Sequence, residues 1–391
     1  MTDASPAPAP FPRPEHRPHV AVADPDPRRR GQDRGRRLTP LLHGAIETYD
    51  RLFALGGIRP DTVRDDASRA LDAVGAFRPA LRAQMEGIAD GAGVEPWRIA
   101  ALNARTEILA RSAAVPPGEC STIVRRVPRV RGLRGADGAG LTHVGVQTWD
   151  WHIELARFWH TLESAGGAHR YVGLTEHGIL AKIGVNSAGL ALHFNILGHQ
   201  EDRVGGVPVH VLAALVLEEA ESVAHAREIV RSAPITSSGS FLLFDPESAA
   251  LLDLSPVGVF EAPPVNAGTH LRTNHFLTGE PAAREKTWLY QPDSGQRFDF
   301  LRDRLTRAPL DETGTAAGAG AGAWFEPGDD LRRQLVTGPA EPPVTCVPDM
   351  AAPTGRRWGS LATVVLDPAA RTARVLDGTP AEHRTRPRLT A

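Results

Sequence analysis

Two cysteines occur in the 391 residues, and only Cys120 has a neighbourhood suggestive of chemistry. It follows the break Pro116-Pro117-Gly118 and opens a β-type run with two small hydroxyl residues, Ser121 and Thr122. One reading is a small apolar residue at a strand start, since unpaired cysteine is often buried and inert. The other is a nucleophile exposed by self-cleavage between Glu119 and Cys120. An N-terminal cysteine carries its own base, an α-amine with an ordinary pKa of about 7.7–8.0. That amine can take the thiol proton as a neighbouring histidine does elsewhere. Before cleavage the same nitrogen is an amide and cannot act as a base, so a hydrolytic site of this type would exist only after processing.

Other polar residues admit a structural reading beside a chemical one. Asp150 lies between Trp149 and Trp151 ahead of the apolar spacing Ile153, Leu155, Phe158 and Trp159, where an aspartate can cap a helix. Asn274 sits at the end of a strand-like run, a common place for an Asn that shapes a turn. Lys182 and Asn186–Gly189 read as strand and hairpin scaffold, and Ser238 as a loop residue before Gly239. Only Lys182 and Lys286 are lysines among 44 basic residues, which makes a lysine in an apolar run easy to notice. The 15 histidines include no HExxH or other compact ligand spacing, so no metal is expected. His152 and His160 would share roughly one face if they lay on a helix. Cys346 has no motif around it and reads as a spare thiol. A papain-like hydrolase would require a histidine base and a local cysteine motif, neither of which is found.

Composition narrows the classes. Net charge is −2, so no basic field recruits nucleic acid, and the Arg125–Arg134 stretch lacks the aromatics of a single-strand platform. No apolar run approaches the length of a membrane span. Two cysteines cannot make a disulfide scaffold, and neither a GxGxxG turn nor a P-loop lysine motif is present, so no cofactor is expected. These features predict a soluble, cytoplasmic, globular protein without nucleic-acid or membrane partners.

The elements that must position Cys120 can be read along the chain. Residues 1–37 hold eight Pro, eight Arg and five acids, which predicts a disordered tail. Residues 38–119 form a helical part, from spacings such as Leu42, Ala45, Ile46, Tyr49 and Phe53, with a further helix starting near Pro96. Residues 120–391 alternate antiparallel strand runs with helix pairs. Strands are expected at 120–124, 141–147, 170–175, 179–185, 190–195, 240–244, 249–254, 257–261, 269–274, 345–347, 361–366 and 373–376. Helices are expected near 207–219, 222–231, 282–289 and 298–305, with an Ala/Gly linker near 312–323. This order argues for an α+β protein with helices packed on stacked antiparallel sheets.

A resemblance now adds to these readings. Asn103-Ala104-Arg105-Thr106-Glu107 followed by Glu119-Cys120-Ser121-Thr122 is similar to the processing region of the acyl-CoA:6-aminopenicillanate (isopenicillin N) acyltransferase family, self-processing cysteine N-terminal nucleophile hydrolases. It continues through Gln147–Trp151, Lys182–Leu190, Phe194-Asn195, Ser237–Gly239, Thr273–Phe276 and the last strand Leu361–Val365, spanning roughly residues 40–380. It implies a four-layer αββα sandwich, Cys120 as nucleophile for self-cleavage and acyl transfer, Asp150 holding the nucleophile's amino end, and Asn274 stabilising the oxyanion. It also implies an amide or acyl substrate, acyl-CoA among the candidates, and two fragments staying together as a heterodimer. The chain departs from the family at Glu119, where the fungal acyltransferase has Gly, and in a long interval between Cys120 and Asp150. The alternative reading is an uncleaved homologue that binds or scaffolds without catalysis.

Overall fold

The computed structural model describes residues 13–112, 120–128, 140–290, 293–307, 328–382 and 389–391. Strand β1 (His19–Val22) leads into helix α1 (Pro27–Leu55), whose first turn is capped by the Asp26 carboxylate accepting from the Arg29 backbone N–H at 2.9 Å. Helices α2 (Pro60–Phe77), α3 (Pro79–Ala92), α4 (Pro96–Asn103) and α5 (Arg105–Leu109) follow. Proline opens α1, α2, α3 and α4, where its missing N–H removes no intrahelical bond.

The tail expected over residues 1–37 is therefore not a tail where it is described. Residues 19–22 form β1, and α1 begins at Pro27 rather than near residue 38. The reason is a close helix crossing that composition hides. Gly31 and Gly35 on α1 face Gly87 and Gly91 on α3. A Cβ at Gly31 would stand 2.2 Å from the Gln84 carbonyl oxygen, and one at Gly87 2.1 Å from that of Arg28. The backbones thus approach to a distance only glycine permits, and the arginines that looked solvated are anchored. Arg34 donates to the Leu180 carbonyl at 2.8 Å, and Arg30 pairs with Glu218 at 2.7 Å. Gly35→Ala should consequently lower stability by about 1–3 kcal/mol through overpacking, measured by urea titration, whereas Arg36→Ala at the exposed face should leave it nearly unchanged.

The remaining chain builds two sheets. Strands β2 (Cys120–Pro128) and β3 (Leu141–His152) are followed by β4 (Trp159–Ser164), β5 (Tyr171–Glu176), β6 (Ile183–Asn186) and β7 (Ala191–Ile196). Helices α6 (Val209–Glu219) and α7 (Val223–Ser232) precede β8 (Gly239–Phe244), β9 (Ala249–Ser255), β10 (Gly258–Ala262) and β11 (Thr269–Arg272). Short helices α8 (Gly279–Ala282) and α9 (Thr287–Tyr290) lead to α10 (Asp293–Arg307) and α11 (Asp329–Gln334). Strands β12 (Trp358–Asp367), β13 (Thr372–Asp377) and β14 (Leu389–Thr390) close the chain.

One sheet has the order β1-β4-β5-β6-β7-β8-β9-β10, the other β11-β2-β3-β12-β13-β14. Every pairing is antiparallel except β1 with β4, which run parallel. The sheets face each other, β2 against β7 and β13 against β5. Helices α6 and α7 cover the outer face of the first sheet, and α10 and α11 that of the second. Ile123, Val144, Val146 and Val365 point outward to Leu301, Leu305 and Leu331 on the covering helices. This is the expected four-layer αββα sandwich. Four local expectations fail: the strand expected over 179–185 starts only at Ile183, which leaves Lys182 outside it, residues 345–347 are not a strand, the 282–289 helix is split between α8 and α9, and His152 and His160 lie on β3 and β4 rather than on one helix. The Ala/Gly segment near 312–323 and Glu119 fall outside the described residues. Among the described residues no helix is long and apolar enough to cross a membrane, and no cluster of ligating side chains could hold a metal.

Candidate active site

The long interval between Cys120 and Asp150 is resolved by strand pairing. In the β2–β3 hairpin Cys120 stands opposite Trp149, Ser121 opposite Thr148, and Thr122 opposite Gln147. Thirty residues of sequence thus fold back so that Asp150 adjoins the start of β2. Asp150 is not a helix cap; it lies within β3, accepting from Ser360 Oγ at 2.6 Å and Thr148 Oγ1 at 3.3 Å. Its backbone N–H and its charge both act on the Cys120 thiol.

Cys120 is held at both ends. Its backbone N–H donates to Asn274 Oδ1 at 2.8 Å. Its carbonyl accepts from Asn195 Nδ2 at 3.1 Å and from Arg297 Nη1 at 3.1 Å. Asn195 is fixed in turn by Thr122 Oγ1, which donates to its Oδ1 at 2.7 Å. Arg297, fully buried on α10, also reaches Ser121 Oγ at 3.0 Å, Asn274 Oδ1 at 3.2 Å and Asp293 at 2.6 Å. Three elements from three layers, β7, the end of β11 and α10, therefore converge on the first residue of β2.

Asn274 is oriented unambiguously by this network. Its amide nitrogen donates to the Ile196 carbonyl at 2.9 Å, so what it presents to Cys120 is an oxygen. The oxyanion role implied for Asn274 would require that bond to be exchanged. The donors pointing toward Cys120 belong instead to Asn195 and Arg297. Sequence reasoning quoted Asn195 only within a motif and overlooked Arg297, which sits on a helix that reads as charged and exposed.

Behind the thiol lies a second missed feature. Lys182 Nζ sits 4.3 Å from the Trp149 ring and donates to Glu176 at 2.9 Å. Glu176 also receives Arg105 at 2.5 Å and the Tyr49 hydroxyl, which itself accepts from Trp151 Nε1 at 3.0 Å. All of these groups are buried. Burial disfavours the Glu176 charge, yet Arg105 and Lys182 outweigh it and hold the carboxyl at about 2. Burial lowers Lys182 to about 8, with Glu176 opposing. Burial, then the Asp150 charge, pushes the Cys120 thiol up to about 12, with Lys182 and Arg297 pulling the other way. In the intact chain the thiol is therefore protonated at neutral pH.

Ser238 does not reach Cys120; its hydroxyl donates to Asp202 at 2.6 Å. Asp202 lines a cavity beside the site with Thr106, Leu109, Trp151, Ile196 and Lys286. Cys346 is buried near Trp358, and no disulfide joins it to Cys120.

Residues 137–309 match the family described as acyl-coenzyme A:6-aminopenicillanic acid acyl-transferase, a segment holding Asp150, Asn195, Asn274 and Arg297 and beginning beyond Cys120. Over 262 residues the chain is 29% identical to the 40 kDa form of acyl-coenzyme A:6-aminopenicillanic-acid-acyltransferase of Emericella nidulans, covering 65% of this chain and 69% of that protein. Over these residues the chain is similar to this acyltransferase family. Among solved structures, a Caenorhabditis elegans N-acylethanolamine-hydrolyzing acid amidase ortholog aligns at 13% identity and a TM-score of 0.39, covering 64% of this chain and 93% of that one. Penicillin V acylase from Agrobacterium tumefaciens aligns at 13% identity and a TM-score of 0.30, covering 67% and 76%.

Proposed function

We propose that this protein is a self-processing cysteine amidase or acyltransferase of the kind it resembles, with Cys120 as nucleophile in both processing and turnover. One observation carries the reading: the Cys120 nitrogen is already seated on Asn274 Oδ1 while its carbonyl is clamped by Asn195 and Arg297. Any buried strand-start residue needs partners for its backbone, but here three polar side chains from elements far apart in the sequence supply them.

In processing, Cys120 Sγ bonds to the Glu119 carbonyl carbon as the bond from that carbon to the Cys120 nitrogen breaks. The thiol proton ends on the departing nitrogen, which becomes an amine. Water then cleaves the thioester, leaving the Glu119 α-carboxylate and returning the thiol. The new amine, held by Asn274 and close to Asp150, serves as the base that the intact chain lacks. In turnover the same sulfur takes the acyl group of an amide or thioester, and water or an acceptor amine releases it. The match to an acyl-CoA-using relative supports acyl-CoA as one donor class. The two pieces remain associated as a heterodimer, because Arg105 and Tyr49 from the first are buried against Glu176 of the second.

Intact mass and a denaturing gel test this directly. The purified wild-type protein should give pieces of 119 and 272 residues, and Cys120→Ala a single chain of 391. An unbroken wild-type chain, or a split that persists in Cys120→Ala, overturns the reading.

A further inference from the structure

A difficulty in the processing step leads to a residue not yet assigned a role. The base that serves turnover is created by the cleavage itself, so the first reaction must proceed without it. The thiol is buried, and the Asp150 carboxylate beside it further disfavours a negative sulfur. Something in the precursor must offset both effects.

We propose, resting on the self-processing reading, that Lys182 is the positioning residue for the first cleavage: its buried ammonium is the counter-charge under which Cys120 becomes a thiolate while its nitrogen is still an amide. Trp149, the cross-strand partner of Cys120, has Lys182 Nζ 4.3 Å from its ring, so Cys120 and the ammonium are neighbours of the same residue. Lys182 does not collapse onto Asp150, because Glu176 holds it at 2.9 Å from the other side. Arg105 shares that carboxylate, so Glu176 does not fully neutralise the two cations bound to it. Glu107 also acts on Arg105, and the Lys182 charge reaches the sulfur, where it favours the thiolate. A chain that uses lysine at only two of 44 basic positions keeps one of them here. The groups acting on this pair are Asp150 from β3 and Arg297 from α10 on the thiol, with Glu176 from β5 and Arg105 from α5 on the ammonium; His210 from α6 faces the same cations and is held neutral by burial and by them.

The test follows the splitting rate of freshly purified precursor against pH by intact mass, in wild type, Lys182→Met, Lys182→Arg and Tyr49→Phe. The wild-type rate should rise with pH as thiolate forms and flatten above about pH 8, where Lys182 loses its proton. Lys182→Met should split about 10²-fold more slowly at pH 7, the order expected for removing a nearby unit charge at an effective dielectric near 20, and should show no break near pH 8. Lys182→Arg, charged throughout, should split but also lose the break. Tyr49→Phe removes a different partner of Glu176; it should lower the thermal midpoint and keep the break.

A wild-type rate and profile in Lys182→Met overturns the proposal, as does loss of the break in Tyr49→Phe, which would make the effect one of packing. If wild-type protein never splits, the self-processing reading falls. Lys182 is then decided by the pH dependence of Cys120 alkylation with iodoacetamide, located by peptide mapping. A break near pH 8 confined to the chains that keep Lys182 upholds its charge role, and identical profiles refute it.

Discussion

Asn274→Leu is expected to slow both precursor splitting and acyl turnover by about 10²–10³-fold, the range found when a preorganised polar group is removed from a reacting centre. The substitution deletes the acceptor for the Cys120 nitrogen and one of the groups that fixes Arg297. Asn274→Asp separates the two roles an amide can play. It keeps an oxygen for the nitrogen of Cys120 and a charge partner for Arg297, but loses the N–H that bonds the Ile196 carbonyl. If Asn274 works as an acceptor, the Asp variant retains most of the splitting rate. If it works as an oxyanion donor, the Asp variant falls with the Leu variant. Intact-mass time courses for splitting and release of a chromogenic amine from an N-acyl anilide read both steps.

The second large effect is on stability. Glu176→Gln leaves Arg105 and Lys182 buried without their shared counter-ion, and removing one partner of a buried ionic cluster typically costs about 3–5 kcal/mol. The comparison is best made in the Cys120→Ala background, where the chain stays in one piece. The pH dependence has a definite sign. Glu176 sits at about 2 in the folded protein, against about 4.3 for an unfolded glutamate. Its contribution is therefore complete above about pH 4.3 and disappears as the pH falls through 2. Urea midpoints at pH 7 should separate the two proteins widely, and the gap should narrow as pH approaches 3. A gap independent of pH would show that the loss is steric.

The architecture was largely legible because its signals are local. Short apolar runs bounded by turn residues, such as Ala191–Ile196 and Ala249–Ser255, mark strands whichever sheet receives them, and the spacing of Leu42, Ala45, Ile46 and Tyr49 marks a helix face. The N-terminal error had a different origin. Proline and arginine counts report on average solvation, whereas the decisive feature there is Gly31 and Gly35 meeting Gly87 and Gly91 across 56 residues of chain. Composition carries no record of such a meeting.

The site was legible in its centre and not in its surroundings. Cys120 announces itself by rarity, and Asp150 and Asn274 by the resemblance. Arg297 is one arginine among 42, distinguished only by the fold that buries it next to Cys120. Lys182 was noticed as unusual yet assigned to scaffold, since nothing in a linear reading says that the residue ahead of β6 meets Trp149 of β3. Residues that act through space become visible only when the sheets are stacked.

Strand β1 adds a final consequence. It is the sole parallel neighbour in its sheet, laid along β4 from a segment that precedes the scissile bond by about a hundred residues. Under the proposed cleavage, the smaller product contributes an edge strand as well as a helical cap to the larger one. The matured enzyme would then inherit an assembly that only the unsevered polypeptide is built to reach. Once denatured, its halves would have to meet by diffusion, and recovery would become second order in protein concentration. The cut that switches on the chemistry would also make the folded state a one-way inheritance from the precursor.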